Sequence, residues 1–189
     1  MKVNFYKFKL IIGLGNPGKE YASTYHNVGF LAIDFLDISS GLAKLLKSDT
    51  YMNESGAFVL KNIKKYKVSP EEILIIHDDS DIELGKYKIS FARGSAGHRG
   101  VQSIIDTLGT KNFWRLRIGI GKNTKLHETE HETARKGIKA ALPADLSAKA
   151  SATAETRRAK AGDLVLKKIS RKDLEILNMV FQTIKNDIS

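Results

Sequence analysis

The sequence predicts an α/β domain whose mixed, mostly parallel central sheet carries helices on both faces. Three observations lead there. Short apolar runs alternate with longer segments patterned at helical spacing. Glycine, proline and acidic clusters punctuate the joints between them. The chain has 189 residues, 42% hydrophobic and 28% charged, which suits one full core better than two. One domain over residues 1–189 is expected, with an atypical insertion at about 122–162.

Phe8 to Leu14 reads as a buried strand that ends in the turn Gly13-Leu14-Gly15-Asn16-Pro17-Gly18. Val28 to Ile38 is apolar at Val28, Phe30, Leu31, Ile33, Phe35 and Leu36, long enough for a buried helix. Ala43 to Lys47 reads as a short strand. A helix follows from Ser55, its expected cap, to roughly Val68, with Val59, Leu60 and Ile63 inward and Lys61, Lys64 and Lys65 outward; Pro70 stops it. Glu72 to Ile76 is a strand leading into an acidic corner. Lys86 to Phe91 and Trp114 to Ile120 are further strands, with a helix over His98 to Leu108 between them. Lys122 to Gly162, alanine-rich and charged, reads as exposed helix broken at Pro143. Ser170 caps a last helix, Arg171 to about Asn186, with Leu174, Leu177, Val180 and Phe181 at helical spacing.

Composition excludes several chemistries. Without cysteine there is no disulfide, thiol nucleophile or thiolate metal site. Phe8 to Leu14 is too short for a membrane span, so a cytoplasmic protein without membrane attachment is expected. The net charge of +10 is unevenly placed: residues 84–121 hold seven basic side chains against the single acid Asp106. Such a sector favours a polyanion through counterion release, so nucleic acid or a phosphorylated ligand leads as partner class, with a solvated cationic surface as the plainer alternative.

Several motifs admit more than one reading. Gly13, Gly15 and Gly18 match the dinucleotide fingerprint, but Pro17 sits inside the turn, Lys19 to Thr24 is polar, and no acid ends a second strand at the required distance. His127 and His131 flank Glu128 with zincin spacing, yet their neighbours are those of a solvated helix. His77-Asp78-Asp79-Ser80-Asp81 admits a magnesium site, a polar turn, or a carboxylate that accepts a hydrogen bond from a histidine and fixes its tautomer. His26 with Asn27, downstream of the glycine turn, has the makings of a water-activating pair.

Taken together, Gly13-Leu14-Gly15-Asn16-Pro17-Gly18, Glu20-Tyr21, Thr24-Tyr25-His26-Asn27, Thr50 to Gly56, His77-Asp78-Asp79, Gly97-His98 and Arg115 to Gly121 resemble the bacterial-type peptidyl-tRNA hydrolases. The resemblance spans most of residues 8–121 and resumes around Val165 to Phe181. It implies hydrolysis of the ester between a peptide and the 3′ ribose of tRNA, by a monomer, without cofactor or metal. By matching position, His26 is the base that activates water and Asp78 its orienting carboxylate. Asn16 and Asn53 position peptide or water and offer amide donors to the oxyanion. Tyr21, Met52 and His98 line the cleft, while Lys88 and Arg117 meet tRNA phosphates. Three features depart from the family: Arg99 stands where asparagine is usual, the stretch between Phe35 and Thr50 is short enough to lack a strand, and Lys122 to Gly162 has no clear counterpart. Arg99 is still suited to gripping a phosphate. The rival readings are a noncatalytic tRNA- or RNA-binding module that kept the fold, and a nucleotide-binding oxidoreductase.

Overall fold

A computed structural model describes residues 5–36, 43–121, 162 and 164–188. The strands are β1 (Leu10–Gly13), β2 (Lys44–Lys47), β3 (Ile73–Glu83), β4 (Tyr87–Phe91) and β5 (Trp114–Gly121). The helices are α1 (Val28–Leu36), α2 (Ser55–Tyr66), α3 (Arg99–Leu108) and α4 (Arg171–Ile188). The sheet order is β2-β1-β3-β5-β4, parallel throughout except for the β4/β5 pair.

Period-two alternation sends neighbouring strand residues to opposite layers. Leu10, Ile12, Ile73 and Ile75 pack with Phe58 and Val59 of α2 and Val101 and Ile104 of α3. Ile11, Leu74, Ile76, Leu116 and Ile118 pack with Val28, Ala32 and Ile33 of α1 and Leu177, Val180, Phe181 and Ile184 of α4. Each of these side chains except the small Ala32 contributes on the order of 1.5–3 kcal/mol through burial. Helices therefore cover both faces, as the alternating pattern predicts.

Chain direction across the sheet reverses between β1 and β3: from β1 the chain passes to β2 on one side and returns to β3 on the other. That is a topological switch point, where open α/β sheets hold ligands beyond the carboxyl ends of their strands. Gly29 lets α1 press onto those ends. A Cβ there would lie 2.5 Å from the carbonyl oxygens of both Ile76 and Leu14, so only glycine fits. His26, in the 3₁₀ turn Tyr25–Asn27 just before α1, is delivered to the switch point by the same contact.

Several sequence expectations need correction. The acidic corner is not a loop: β3 runs through Glu83, with a register shift between Asp79 and Glu83. Gly121 makes room for it, since a Cβ there would stand 2.5 Å from the carbonyl oxygen of Ser80. Glu72 belongs to a 3₁₀ turn, Pro70–Glu72, closed by a Ser69/Glu72 capping box. Ser55 is the first residue of α2 rather than its cap, and its hydroxyl donates to the Met52 carbonyl at 2.8 Å. Lys67 ends α2 in a left-handed conformation (φ 53°). The short link after α1 leaves β2 as the edge strand, and the described sheet has five strands. Ser170 does cap α4, accepting from the Asp173 amide at 3.1 Å. The zincin-spaced histidines and nearly all of the alanine-rich insertion lie outside the described residues.

Candidate active site

Three side chains meet at the switch point. Oδ1 of Asp78, on β3, lies 2.8 Å from Nδ1 of His26 and 3.0 Å from Nε2 of His98. The carboxylate is 2% exposed and His26 8%. Burial pushes the Asp78 carboxyl up, but the adjacent His98 and His26 outweigh it and hold the group well below the usual carboxylate range. Asp78 is thus an ionised acceptor.

The tautomers follow from the acceptors. His98 is the N-cap of α3, and its Nδ1 accepts from the Val101 amide at 3.2 Å. Nδ1 therefore carries the lone pair and Nε2 the proton, which points at Asp78. His26 donates from Nδ1 to the same oxygen, so in the neutral ring Nε2 is the nitrogen that carries the lone pair. An imidazole in that state takes a proton from water.

Asn16 is braced from two sides. Its backbone amide donates to Oδ1 of Asn27 at 2.8 Å, and Nδ2 of Asn27 donates back to the Asn16 carbonyl at 2.9 Å. Its own Oδ1 accepts from the Met52 amide at 2.8 Å, so the Nδ2 end is the one left for a ligand. Asn27 is thereby a clamp on Asn16. Met52 is buried, its sulfur packed where Gly100 lacks a side chain; a Cβ on Gly100 would also come within 3.1 Å of Leu14 and 3.2 Å of His98.

The remaining sequence candidates lie farther out. Asn53 follows Met52 in the 3₁₀ turn Met52–Glu54 and is exposed, with no hydrogen bond to the His26–Asp78–His98 group. Tyr21, half-buried, meets Tyr51 edge to face with centroids 6.5 Å apart. Arg99 is exposed at the first position of α3, directly after His98. Lys88 is exposed on β4, opposite Arg117 on β5. Nε of Arg117 bonds Oδ2 of Asp79 at 2.7 Å in a largely buried ion pair, so this cation already has a partner. The two adjacent aspartates divide the work: Asp78 serves the histidines and Asp79 the arginine.

Some contributors escaped sequence reasoning. Segment 164–170 straps down the chain that carries His26: Thr24 bridges Lys168, the Tyr25 amide donates to Lys167, the Ile169 amide donates to Ser23, and the Tyr25 hydroxyl donates to Asp173. Burial and that carboxylate push the Tyr25 phenol up to about 12. These partners lie more than 140 positions apart in sequence and leave no local signal. The glycine turn is also not a phosphate cradle, because a Cβ on Gly15 would strike the Phe30 ring at 2.8 Å and the space is already filled by α1.

His26, Asp78 and His98 also form the one group among the described residues that has the makings of a metal site, with ligand atoms within 4.8 Å of one another. Its donor chemistry opposes that use. A histidine bound to metal through Nε2 donates its other N–H to a neighbour, whereas Nδ1 of His98 is itself an acceptor.

An esterase-like site at the switch point of an α/β sheet is the class defined by this fold and geometry. The peptidyl-tRNA hydrolase family profile matches residues 10–136, and the chain belongs to that family. The peptidyl-tRNA hydrolase of Aquifex aeolicus is 46% identical over 137 residues, covering 62% of this chain and 71% of the relative. That of Thermodesulfovibrio yellowstonii is 48% identical over 135 residues, covering 60% and 72%. The crystal structure of the Acinetobacter baumannii peptidyl-tRNA hydrolase superposes with a TM-score of 0.71 at 27% identity, covering 97% of this chain and 87% of that one. The profile extends past Gly121 to residue 136, so the first part of the stretch read as lacking a counterpart has one.

Proposed function

We propose that the protein hydrolyses the ester joining a peptide to the 3′ ribose of tRNA, with His26 as general base. Nε2 of His26 takes a proton from water as the water oxygen attacks the ester carbonyl, and Asp78 stabilises the imidazolium that forms. The proton then passes to the departing 3′ oxygen, leaving a free peptide carboxylate and tRNA. Nδ2 of Asn16 and of Asn53 serves the oxyanion and the peptide backbone, in keeping with a substrate whose peptide varies. Tyr21 and Met52 line the peptide's path. His98 holds the second lone pair of Asp78, and Arg99, Lys88 and Arg117 face the tRNA phosphates.

The observation that carries this reading is the single Asp78 oxygen shared by two histidines, 2.8 Å from one and 3.0 Å from the other, in a chain of this family. A monomer working in the cytoplasm without metal fits it, given the acceptor role of His98 Nδ1. No helix among the described residues is long and apolar enough to cross a membrane. The test is release of peptide from purified peptidyl-tRNA, with and without a chelator. Turnover indifferent to chelation is expected; binding without release would establish the noncatalytic module instead.

A further inference from the structure

We propose that His77, one residue before the catalytic carboxylate, is a positioning residue that holds Asp78 and the His98 ring in their mutual geometry. The inference rests on the reading of His26 and Asp78 just given, and goes beyond it to a third histidine.

His77 is 1% exposed. Its Nδ1 lies 2.6 Å from the backbone carbonyl oxygen of Asp78, and as the carbonyl only accepts, Nδ1 carries the proton. This bond fixes the peptide plane immediately after the Asp78 side chain, where β3 approaches its register shift. The ring also meets His98 edge to face, centroids 4.5 Å apart and planes at 70°. One imidazole thus touches both partners of the His98–Asp78 bond. His26 and His98 are themselves 5.0 Å apart, so the His98 ring lies against both other histidines.

Such a role requires that His77 stay neutral. Burial, with His98 and Arg115 nearby, drives its ionisation well below the ordinary histidine range, against the opposing pull of Asp78. The charged or titratable groups that face it are His98 at the start of α3, Arg115 on β5 and Asp78 beside it on β3. Its Nε2 is buried without a hydrogen-bond partner among the described residues, so the Nδ1 bond alone ties it into the site. A histidine kept uncharged, with one polar contact aimed at the catalytic residue's own backbone, serves placement rather than proton transfer.

The experiment compares His77→Phe with His77→Asn. Phenylalanine fills the space but has no donor; asparagine places an N–H near the position of Nδ1. In the Phe variant kcat should fall about tenfold or more at nearly unchanged KM, because a misplaced carboxylate affects the chemical step and not binding. The acid limb of kcat/KM should move to lower pH as Asp78 supports the His26 imidazolium less well. His77→Asn should recover most of the rate. A proton spectrum supplies the second measurement: the far-downfield imidazole N–H signals held by Asp78 should persist in Asn and broaden or vanish in Phe, and His77→Ala carries the same comparison if Phe does not fold. A folded Phe variant with unchanged kcat, acid limb and imidazole signals overturns the proposal, as does an Asn variant no better than Phe. Either result leaves the base assignment intact, since that stands or falls on His26 variants.

Discussion

The Val101 amide donates to Nδ1 of His98 at 3.2 Å, and through this contact the first turn of α3 sets which nitrogen of His98 faces Asp78. The helix cap and the His98–Asp78 contact are therefore one arrangement. A cap is normally worth about 1 kcal/mol to stability; here it also orients a donor toward a buried anion.

His98→Asn separates those two uses. Asparagine is a good N-cap, so α3 should keep its cap, but its amide is too short to bridge to Asp78 and the melting temperature should fall only by what one charge-assisted hydrogen bond to a buried carboxylate contributes. Losing one charge-assisted hydrogen bond should lower kcat by about 10-fold to 100-fold. Circular dichroism melts and steady-state kinetics on the same preparation check both halves.

Asp78→Asn removes the charge that faces His26. The amide oxygen can still accept from Nδ1, but an uncharged group no longer stabilises the imidazolium that forms as His26 takes a proton. The expected loss in kcat is about 10² to 10⁴, with tRNA affinity retained. Single-turnover hydrolysis beside a binding titration distinguishes this from a folding defect.

How much of this was legible in the chain depends on range. The strands and helices were readable because apolar periodicity is local, and the candidates His26, Asp78 and Asn16 could be picked out because each lies in a compact motif. What α3 does to His98 was half visible: glycine followed by histidine at a helix start signals a cap, but not that the far nitrogen reaches β3. Asp79 could not be separated from Asp78 in sequence, since the choice depends on which face of β3 meets Arg117. The tie from Tyr25 to Asp173 and the strap beside Thr24 were unreadable, being long-range and made largely by the backbone.

Acid should destabilise the fold in two stages. Both His77 and Asp78 have folded-state ionisation below their unfolded values of about 6.5 and 3.8. Each contributes stability that is present above the unfolded value and lost as pH falls toward the folded one. The His77 contribution therefore begins to fall below about pH 6.5, with a slope approaching about 1.4 kcal/mol per pH unit, and that of Asp78 only below about pH 4. Urea melts from pH 7.5 to 4.5 should show a shallower decline for His77→Asn than for the parent.

The two basic residues on β4 and β5 should behave differently. Lys88→Ala removes an exposed cation, reducing the slope of log Kd against log salt by roughly one unit per lost phosphate contact while leaving thermal stability alone. Arg117→Ala also strips Asp79 of its buried partner, at a cost of about 2–4 kcal/mol in unfolding free energy. Equal stability in the two variants would contradict the ion pair's importance.

Hydrolysis by His26→Ala under single-turnover conditions is the most direct measurement. If Nε2 of that ring removes the proton from water, the rate of peptide release falls by about 10² or more while peptidyl-tRNA still binds nearly as tightly. Release within a few-fold of the parent rate would show that another group activates the water.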